Sequence, residues 1–280
     1  MSTSTRTLAV ASASPEKERR APFKQRLKEK PEYVLVPLIF VVGVSMWEFL
    51  TAALKVPAYI LPPPSKIVSA LVGHVQTPTF WENLGVTLQE IAIGYVIAVV
   101  VAFALGILIS QVRIIEKAVL PYIVAFETIP KIALAPLFLI WFGFGLLSKI
   151  VMTAFISFFP ILINVIEGLR SVDADKLEMM RSLGATKYQI FLKLRLPNAA
   201  PFIFAGLDLG IIFAVIGAVV GEFVGAKAGL GYQMLQYNYD FNVASMFAML
   251  IVLSLLGIIG HTIVRLLKRK FAFWSSPSGH

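Results

Sequence analysis

Apolar residues occur along this chain in long blocks, without the polar interruptions of a half-buried helix or the alternation of a strand. IAIGYVIAVVVAFALGILIS (91–110) and IVLSLLGIIG (251–260) carry no charge at all, where an amphipathic soluble helix would place polar residues every third or fourth position. Blocks of about 20 apolar residues are what a hydrocarbon core roughly 30 Å thick requires of a helix. Six such blocks predict membrane helices at roughly 33–54, 86–110, 118–141, 147–167, 201–224 and 243–267. The expected fold is an all-α membrane protein with six transmembrane helices.

Composition supports this and adds an orientation. The 280 residues are 58% hydrophobic and only 15% charged, with a mean hydropathy of +0.80, whereas a soluble domain carries about 25% charged residues. No cysteine is present, so there is neither a disulfide framework nor a thiolate metal site. The net charge of +9 raises the question of nucleic acid, but its distribution answers differently. Segments 1–32, 111–117, 168–200 and the stretch from Arg265 onward hold 20 of the 25 lysines and arginines. Basic loops stay on the cytoplasmic side, which places both termini there, N-in and C-in. Residues 1–32 then form a basic cytoplasmic tail, mobile at its start and helical on the membrane surface from Pro22. Residues 33–270 form the membrane domain and 271–280 a C-terminal tail. No nucleic-acid partner is expected; membrane lipid is.

The longest of these loops, 168–200, has internal structure written into it. Asp173 or Asp175 can cap a short helix running to Arg181 or Leu183, with acidic residues in the first turn as the helix dipole prefers. Gly184 supplies a left-handed turn. Thr186 can cap a second helix carrying Tyr188, Phe191 and Leu194, which Pro197 is expected to end. Leu177, Met180, Leu183, Tyr188 and Phe191 are too apolar for a solvated loop. They need a partner, either this protein's own helices or another subunit.

The third block contains FETIPKIALAP (126–136), with two charges and two prolines. Glu127 and Lys131 share a face if the helix continues. An ionised side chain at mid-membrane costs roughly 2.5–3.5 kcal/mol on insertion scales, so it faces protein or water. Pro130 frees the carbonyl of Phe126 and Pro136 that of Ile132, tolerated where backbone is buried in protein or lines a cavity. Two readings stand: a structural Glu127–Lys131 ion pair, or a polar belt along a translocation path. Glu127, Pro130 and Lys131 are path candidates. So is Glu222 at the end of the fifth block, read either as a gate or partner contact, or as a carboxylate bonded to nearby backbone. Asp208 is expected to pair with a basic neighbour, and Glu48 to sit near the outer interface or be paired. His74, His261 and His280 are unclustered and predict no metal site. LPPPSK (61–66) reads as a stiff extended connection. Gly94, Ala98, Ala102 and Gly106 form a small-residue stripe for close helix packing.

Glu178-Met-Met, Gly184 six residues on, and Leu194-Arg-Leu-Pro197 resemble the cytoplasmic loop of permease subunits of bacterial ABC importers, with methionines at 179 and 180 where the family usually has alanines. YILPPPSKI, IPKIALAPLFLIWFGFGLLSKI, FFPILINVIEGL and GEFVGAKAGLGYQM extend the resemblance over most of 57–265, towards the nitrate, sulfonate, taurine and bicarbonate group. The resemblance implies a type I importer permease in the bacterial inner membrane, in which Asp173, Glu178, Met179, Met180, Leu183, Gly184, Ala185, Tyr188, Leu196 and Pro197 belong to an ATPase-coupling loop. It further implies a second permease copy, two cytoplasmic ATPase subunits and a periplasmic binding protein that delivers a small anionic solute. No G-x-x-x-x-G-K-[ST] pattern occurs, and GAKAGLG (225–231) lacks its Lys-Ser/Thr ending. ATP and Mg would therefore sit on the partner ATPase, and this subunit would bind no cofactor and catalyse nothing. A carrier driven by an ion gradient, with Glu127, Lys131 and Glu222 as relay groups, is the alternative; the first and last three blocks share no repeat that would favour it.

Overall fold

The computed structural model describes residues 32–275, and every regular element in that range is helical. The surface helix expected from Pro22 lies outside the described residues. The long elements are α1 (Glu32–Ala53), α3 (Pro78–Gln111), α6 (Leu146–Arg170), α9 (Leu196–Gly225) and α11 (Val243–Phe271). Between them lie α2 (Pro64–Val75), α4 (Arg113–Thr128), α5 (Ala135–Phe142), α7 (Ala174–Ser182), α8 (Lys187–Ile190) and α10 (Leu230–Tyr239).

Among the described residues, five helices are long and apolar enough to cross a membrane; the sixth predicted span, 118–141, is not one rod. α4 ends at Thr128, a 3-10 turn covers Lys131–Leu134, and α5 leaves at 82° to the direction of α4. The cause is Pro130. It cannot donate an N–H, and it pushes Ile129 out of the helical region to φ −64°, ψ 132°. Gly143, at φ +78°, then ends α5.

Pro197 behaves differently from expectation, because it does not end the second loop helix. The chain is helical from Lys187 to Gly225. A π turn at Phe191–Arg195, in which the Leu196 N–H reaches the Phe191 carbonyl, sits just ahead of the proline. Widening the helix there removes the clash of the ring with the preceding turn, and Pro197 lies in the first turn of α9, where its missing N–H costs nothing. Two connections expected to be loops also contain helices. Pro64 opens α2 as a first-position proline. The stretch after GAKAG forms α10.

α6 is the centre of the molecule, with 15 of its 25 residues buried, whereas Thr51 alone is buried in residues 35–53 of α1. It is held between two small-residue stripes. On α3, Ala98 and Ala102 are buried, and an added Cβ at Gly94 or Gly106 would come within 2.6 Å of Thr153 or Val165. On α9, Gly206, Gly210, Gly217 and Gly221 approach Asn164, Ile161, Thr153 and Lys149 in the same way. Close backbone approach of this kind is how helices gain packing contact where surrounding lipid is as apolar as the side chains. A second core, of Ile67, Phe80, Leu230, Ala248 and Met249, joins α2, α3, α10 and α11 at the end away from the 171–195 loop. α1 is attached mainly at that end: Glu48 accepts from the Ser65 N–H at 2.9 Å and hydroxyl at 2.7 Å, and Trp47 meets Phe247 edge-on.

Candidate functional site

Three places along this frame gather polar or exposed groups. The first is the turn between α7 and α8. Asp173 caps α7 by accepting from the Asp175 N–H at 2.9 Å. Its C-terminus closes with two backbone bonds, Gly184 N–H to Arg181 carbonyl at 2.9 Å and Ala185 N–H to Met180 carbonyl at 3.0 Å. This is the Schellman arrangement, which needs a left-handed residue at its centre; Gly184 has φ +74°. Thr186 and Gln189 then form a reciprocal capping box on α8.

The stems of this hairpin are clamped. Arg170 bonds Glu116 of α4 at 2.5 Å, Asn198 donates to Ser171 at 2.8 Å, and Trp274 donates to the Pro197 carbonyl at 3.3 Å. Ile190 is buried and Leu177, Met180, Ala185 and Leu196 are half-buried, turned towards the protein. Met179 (56% exposed), Leu183 (76%) and Tyr188 (71%) point away, with Glu178 beside them. The sequence left open whether the loop's apolar residues are covered by this chain or by another; this chain covers part of them, leaves Met179, Leu183 and Tyr188 bare and Leu192 40% exposed.

The second place is the break at 128–134. Because the helix stops at Thr128, Glu127 and Lys131 do not share a helical face, and their side chains do not pair. Lys131 Nζ instead donates to the Glu127 main-chain carbonyl at 3.3 Å and lies 5.1 Å from the centre of the Phe159 ring. It thus caps a carbonyl that the broken helix cannot use, a cation at a helix C-terminus. The Glu127 carboxylate and Pro130 are exposed.

The third place is the junction of α9 and α10. Glu222, at 1% exposure, accepts from the Thr87 hydroxyl at 2.6 Å through one oxygen. Its other oxygen accepts from the N–H groups of Gly231 and, at 3.3 Å, Tyr232. Asn83 accepts from Gly229 N–H at 2.6 Å and Thr87 from Leu230 N–H at 2.8 Å. The four N–H groups that the start of a helix leaves without partners are therefore all met, by three side chains from α3 and α9. Of the two sequence readings of Glu222, this placement is the backbone-bonded one. Glu90 is also buried beside it, and its Oε2 has no hydrogen-bond partner. Buried Lys149 donates to the carbonyls of Phe144 (2.7 Å), Gly145 (3.0 Å) and Gly225 (3.0 Å), pinning the α5–α6 turn to the end of α9. Asn83, Thr87, Glu90 and Lys149 were not singled out from the sequence. Glu90 was the readable signal, a lone acid within an apolar block. Asp208 does find a basic partner, His261 of α11, at 2.5 Å.

Residues 94–273 match the family described as binding-protein-dependent transport system inner membrane component. The chain is 37% identical over 237 residues to the formylaminopyrimidine transport permease protein ThiX of Halalkalibacterium halodurans, covering 85% of this chain and 94% of that one. It is 31% identical to the riboflavin transport system permease protein RibX of Chloroflexus aurantiacus (96% and 98% covered). To the putative aliphatic sulfonates transport permease protein SsuC of Bacillus subtilis it is 30% identical (86% of each covered). Among solved structures, a chain of the inward-facing MetNI methionine ABC transporter superposes with a TM-score of 0.58 at 26% identity, covering 68% of this chain and 98% of that chain. A helical membrane chain with these relatives is a non-catalytic transport subunit, and it belongs to the family of binding-protein-dependent ABC transporter permeases.

Proposed function

We propose that this chain is the membrane-spanning subunit of an ATP-driven importer for a small solute bearing a negative group. Two copies form the path across a bacterial inner membrane, with both termini in the cytoplasm. Two ATPase subunits, which hold ATP and Mg, seat the α7–α8 turns, and a periplasmic binding protein delivers the solute at the α10 end. The observation that carries this reading is the exposure of Met179, Leu183 and Tyr188 on a turn whose backbone is fixed by caps at both helices and braced at both stems. A rigid, apolar knob projecting from a membrane protein at its most basic end suits a groove in a soluble partner. Relatives are named for a formylaminopyrimidine, a riboflavin and a sulfonate system, so the solute is argued from the path itself. Lys131 spends one of its three donors on the Glu127 carbonyl and has two left at the break. At an effective dielectric constant of 20, an anion 4 Å from it gains about 4 kcal/mol.

The test is uptake in proteoliposomes. Transport that requires an added ATPase subunit and ATP supports the importer; transport driven by an ion gradient alone would return the assignment to a secondary carrier. With the importer running, Lys131→Gln is expected to reduce uptake of an anionic solute at least tenfold without lowering expression, while Glu127→Gln preserves it. Equal uptake in the two variants would remove the anion-path reading and leave the importer standing.

A further inference from the structure

Two carboxyl groups lie side by side where α3 meets the α9–α10 junction, and only one of them has its bonds filled. Glu222 accepts from the Thr87 hydroxyl and from the N–H groups of Gly231 and Tyr232. Glu90 is as deeply buried, at 1% exposure, yet its Oε2 meets no donor. Helical spacing fixes its surroundings. Thr87 precedes Glu90 by three residues and Gly94 follows it by four, so all three share one face of α3. Thr87 reaches Glu222, and Gly94 lies against Thr153 of α6. One turn before Thr153 is Lys149, whose side chain lies against Gly221 of α9. Glu90 is therefore enclosed in the corner between α3, α6 and α9, with Glu222 and Lys149 as its charged neighbours.

The donors in that corner are already committed. Lys149 has three protons to give, and they go to the carbonyls of Phe144, Gly145 and Gly225. The single proton of Thr87 goes to Glu222 at 2.6 Å. The Thr153 hydroxyl is free but does not meet Glu90, since both it and Glu90 Oε2 are without a partner. An ionised Glu90 would thus be a buried charge with an oxygen unpaired, set beside a second carboxylate. Both conditions are strongly unfavourable. Among the described residues no third acid or histidine joins the two, which serves poorly a hard cation that takes six or more oxygens.

A proton resolves both conditions. With the proton on the other oxygen, Oε2 is the carbonyl of a neutral acid, which is far cheaper to leave unpaired than an anion. Glu222 Oε1, which accepts from Thr87, keeps a lone pair for the new O–H. The remaining charges, Glu222 and Lys149, then balance. We propose that Glu90 and Glu222 form a buried carboxylic acid–carboxylate pair, with one resident proton carried by Glu90. This proton is what allows α3 to close on the junction that holds α10, and it is required whatever solute the protein carries.

Infrared spectroscopy of the full-length chain in nanodiscs at neutral pH reads the proton directly. A protonated carboxyl group gives a C=O stretch above the amide absorption, whereas a carboxylate gives none there. The expected difference spectrum between the parent and Glu90→Gln contains one such band. Labelling glutamate with carbon-13 at the side-chain carboxyl should move that band in the unsubstituted chain, so the reading does not depend on a variant folding. Glu222→Gln, which offers the O–H an amide acceptor in place of a carboxylate, should shift the band. No band in the parent would mean that Glu90 is ionised or holds a cation, and would overturn the proposal. A band that Glu222→Gln leaves unmoved would overturn the pairing. Glu90→Gln copies the neutral acid and retains an N–H for Glu222, so amides at 230–235 should exchange with deuterium within about twofold of the parent. A rise of about tenfold or more would show that the junction needs a charge at Glu90, and would equally overturn the proposal.

Discussion

Replacing Glu222 with alanine should loosen α10 selectively, and the size of the effect follows from the bonds the carboxylate makes. Removing it leaves the Gly231 N–H, which is buried and closely bonded, and the Tyr232 N–H, which is half-buried and held at 3.3 Å. The Thr87 hydroxyl keeps a second acceptor, the Asn83 carbonyl at 3.2 Å, and so is not orphaned. A buried donor left unpaired costs about 1–3 kcal/mol, and the weaker second bond adds less, so the total is about 2–4 kcal/mol, somewhat above an ordinary lost N-cap. At about 1.4 kcal/mol per factor of ten, backbone amides at 230–235 should exchange with deuterium roughly 30- to 1,000-fold faster. Amides of α6, held between the α3 and α9 stripes, should not change. Glu222→Gln retains an acceptor oxygen and should show less than half the effect on a free-energy scale. Hydrogen exchange by mass spectrometry in detergent measures all of this. Unchanged exchange in α10, or an equal rise across α6 and α10, would refute the assignment of Glu222 as the holder of the α10 N-terminus.

Gly184→Val should cost about 1–2 kcal/mol locally, because Gly184 sits at φ +74° while nothing lies within 4 Å of an added Cβ. Co-purification with the cognate ATPase should be lost with membrane insertion intact, and normal assembly would remove the turn from the coupling role. Burial holds the His74 pKa below the ordinary histidine value, so the unfolded chain binds its proton more readily and the contribution to stability falls as pH drops below about 6.5. The thermal midpoint should therefore decline between pH 7 and pH 5, and His74→Gln, still able to bond Ser245 and Tyr237, should flatten that decline; an equally steep decline in the variant would exclude His74 as its source. A cysteine at Ser171 should react only from the cytoplasm and one at Ala228 only from outside, and the reverse pattern would invert the proposed orientation.

How far the sequence could be read depended on the range of the interaction involved. The caps of the 173–190 turn are contacts between residues two to five apart, and Asp173, Gly184, Thr186 and Gln189 take the roles their types suggest. The α3 stripe was legible because Gly94, Ala98, Ala102 and Gly106 repeat at helical spacing; the matching run on α9 has the same cause but was not singled out from the sequence. Pro130 was read as freeing the Phe126 carbonyl but not as turning the chain by 82°, and the supposed Glu127–Lys131 pair depended on the helix continuing. Pro197 carries the same residue type with the opposite outcome, since a π turn ahead of it absorbs the strain. Local propensity does not choose between breaking and bulging; the packing of α9 along α6 does. The Glu222 cluster was beyond reach for a simpler reason. Its bonds join positions 83 and 87 to positions 222 and 229–232, and no spacing rule connects those.

These placements give α9 a particular mechanical position. It begins at the π turn that follows the α7–α8 turn and ends at Glu222 and Lys149, which fix α10 and the α5–α6 turn. Its thirty residues make a rod about 45 Å long. Along this rod the Gly206–Gly221 stripe sits so near α6 that an added Cβ would come within about 3 Å of it. A helix fitted that tightly tilts or slides as a unit with little room to bend. A displacement delivered at the α7–α8 turn therefore has two places to be absorbed, the π turn at 191–195 and the Glu222 cluster. The π turn already carries off-register hydrogen bonds and lies outside the stripe, whereas the cluster has every first-turn N–H of α10 satisfied. On the importer reading, the compliant end faces the ATPase and the stiff end holds the outer helix, so small movements of the turn are best transmitted when the π turn is locked by a seated partner. Transport would then depend on the fit of Met179, Leu183 and Tyr188 in that partner more than on any single bond at the outer end.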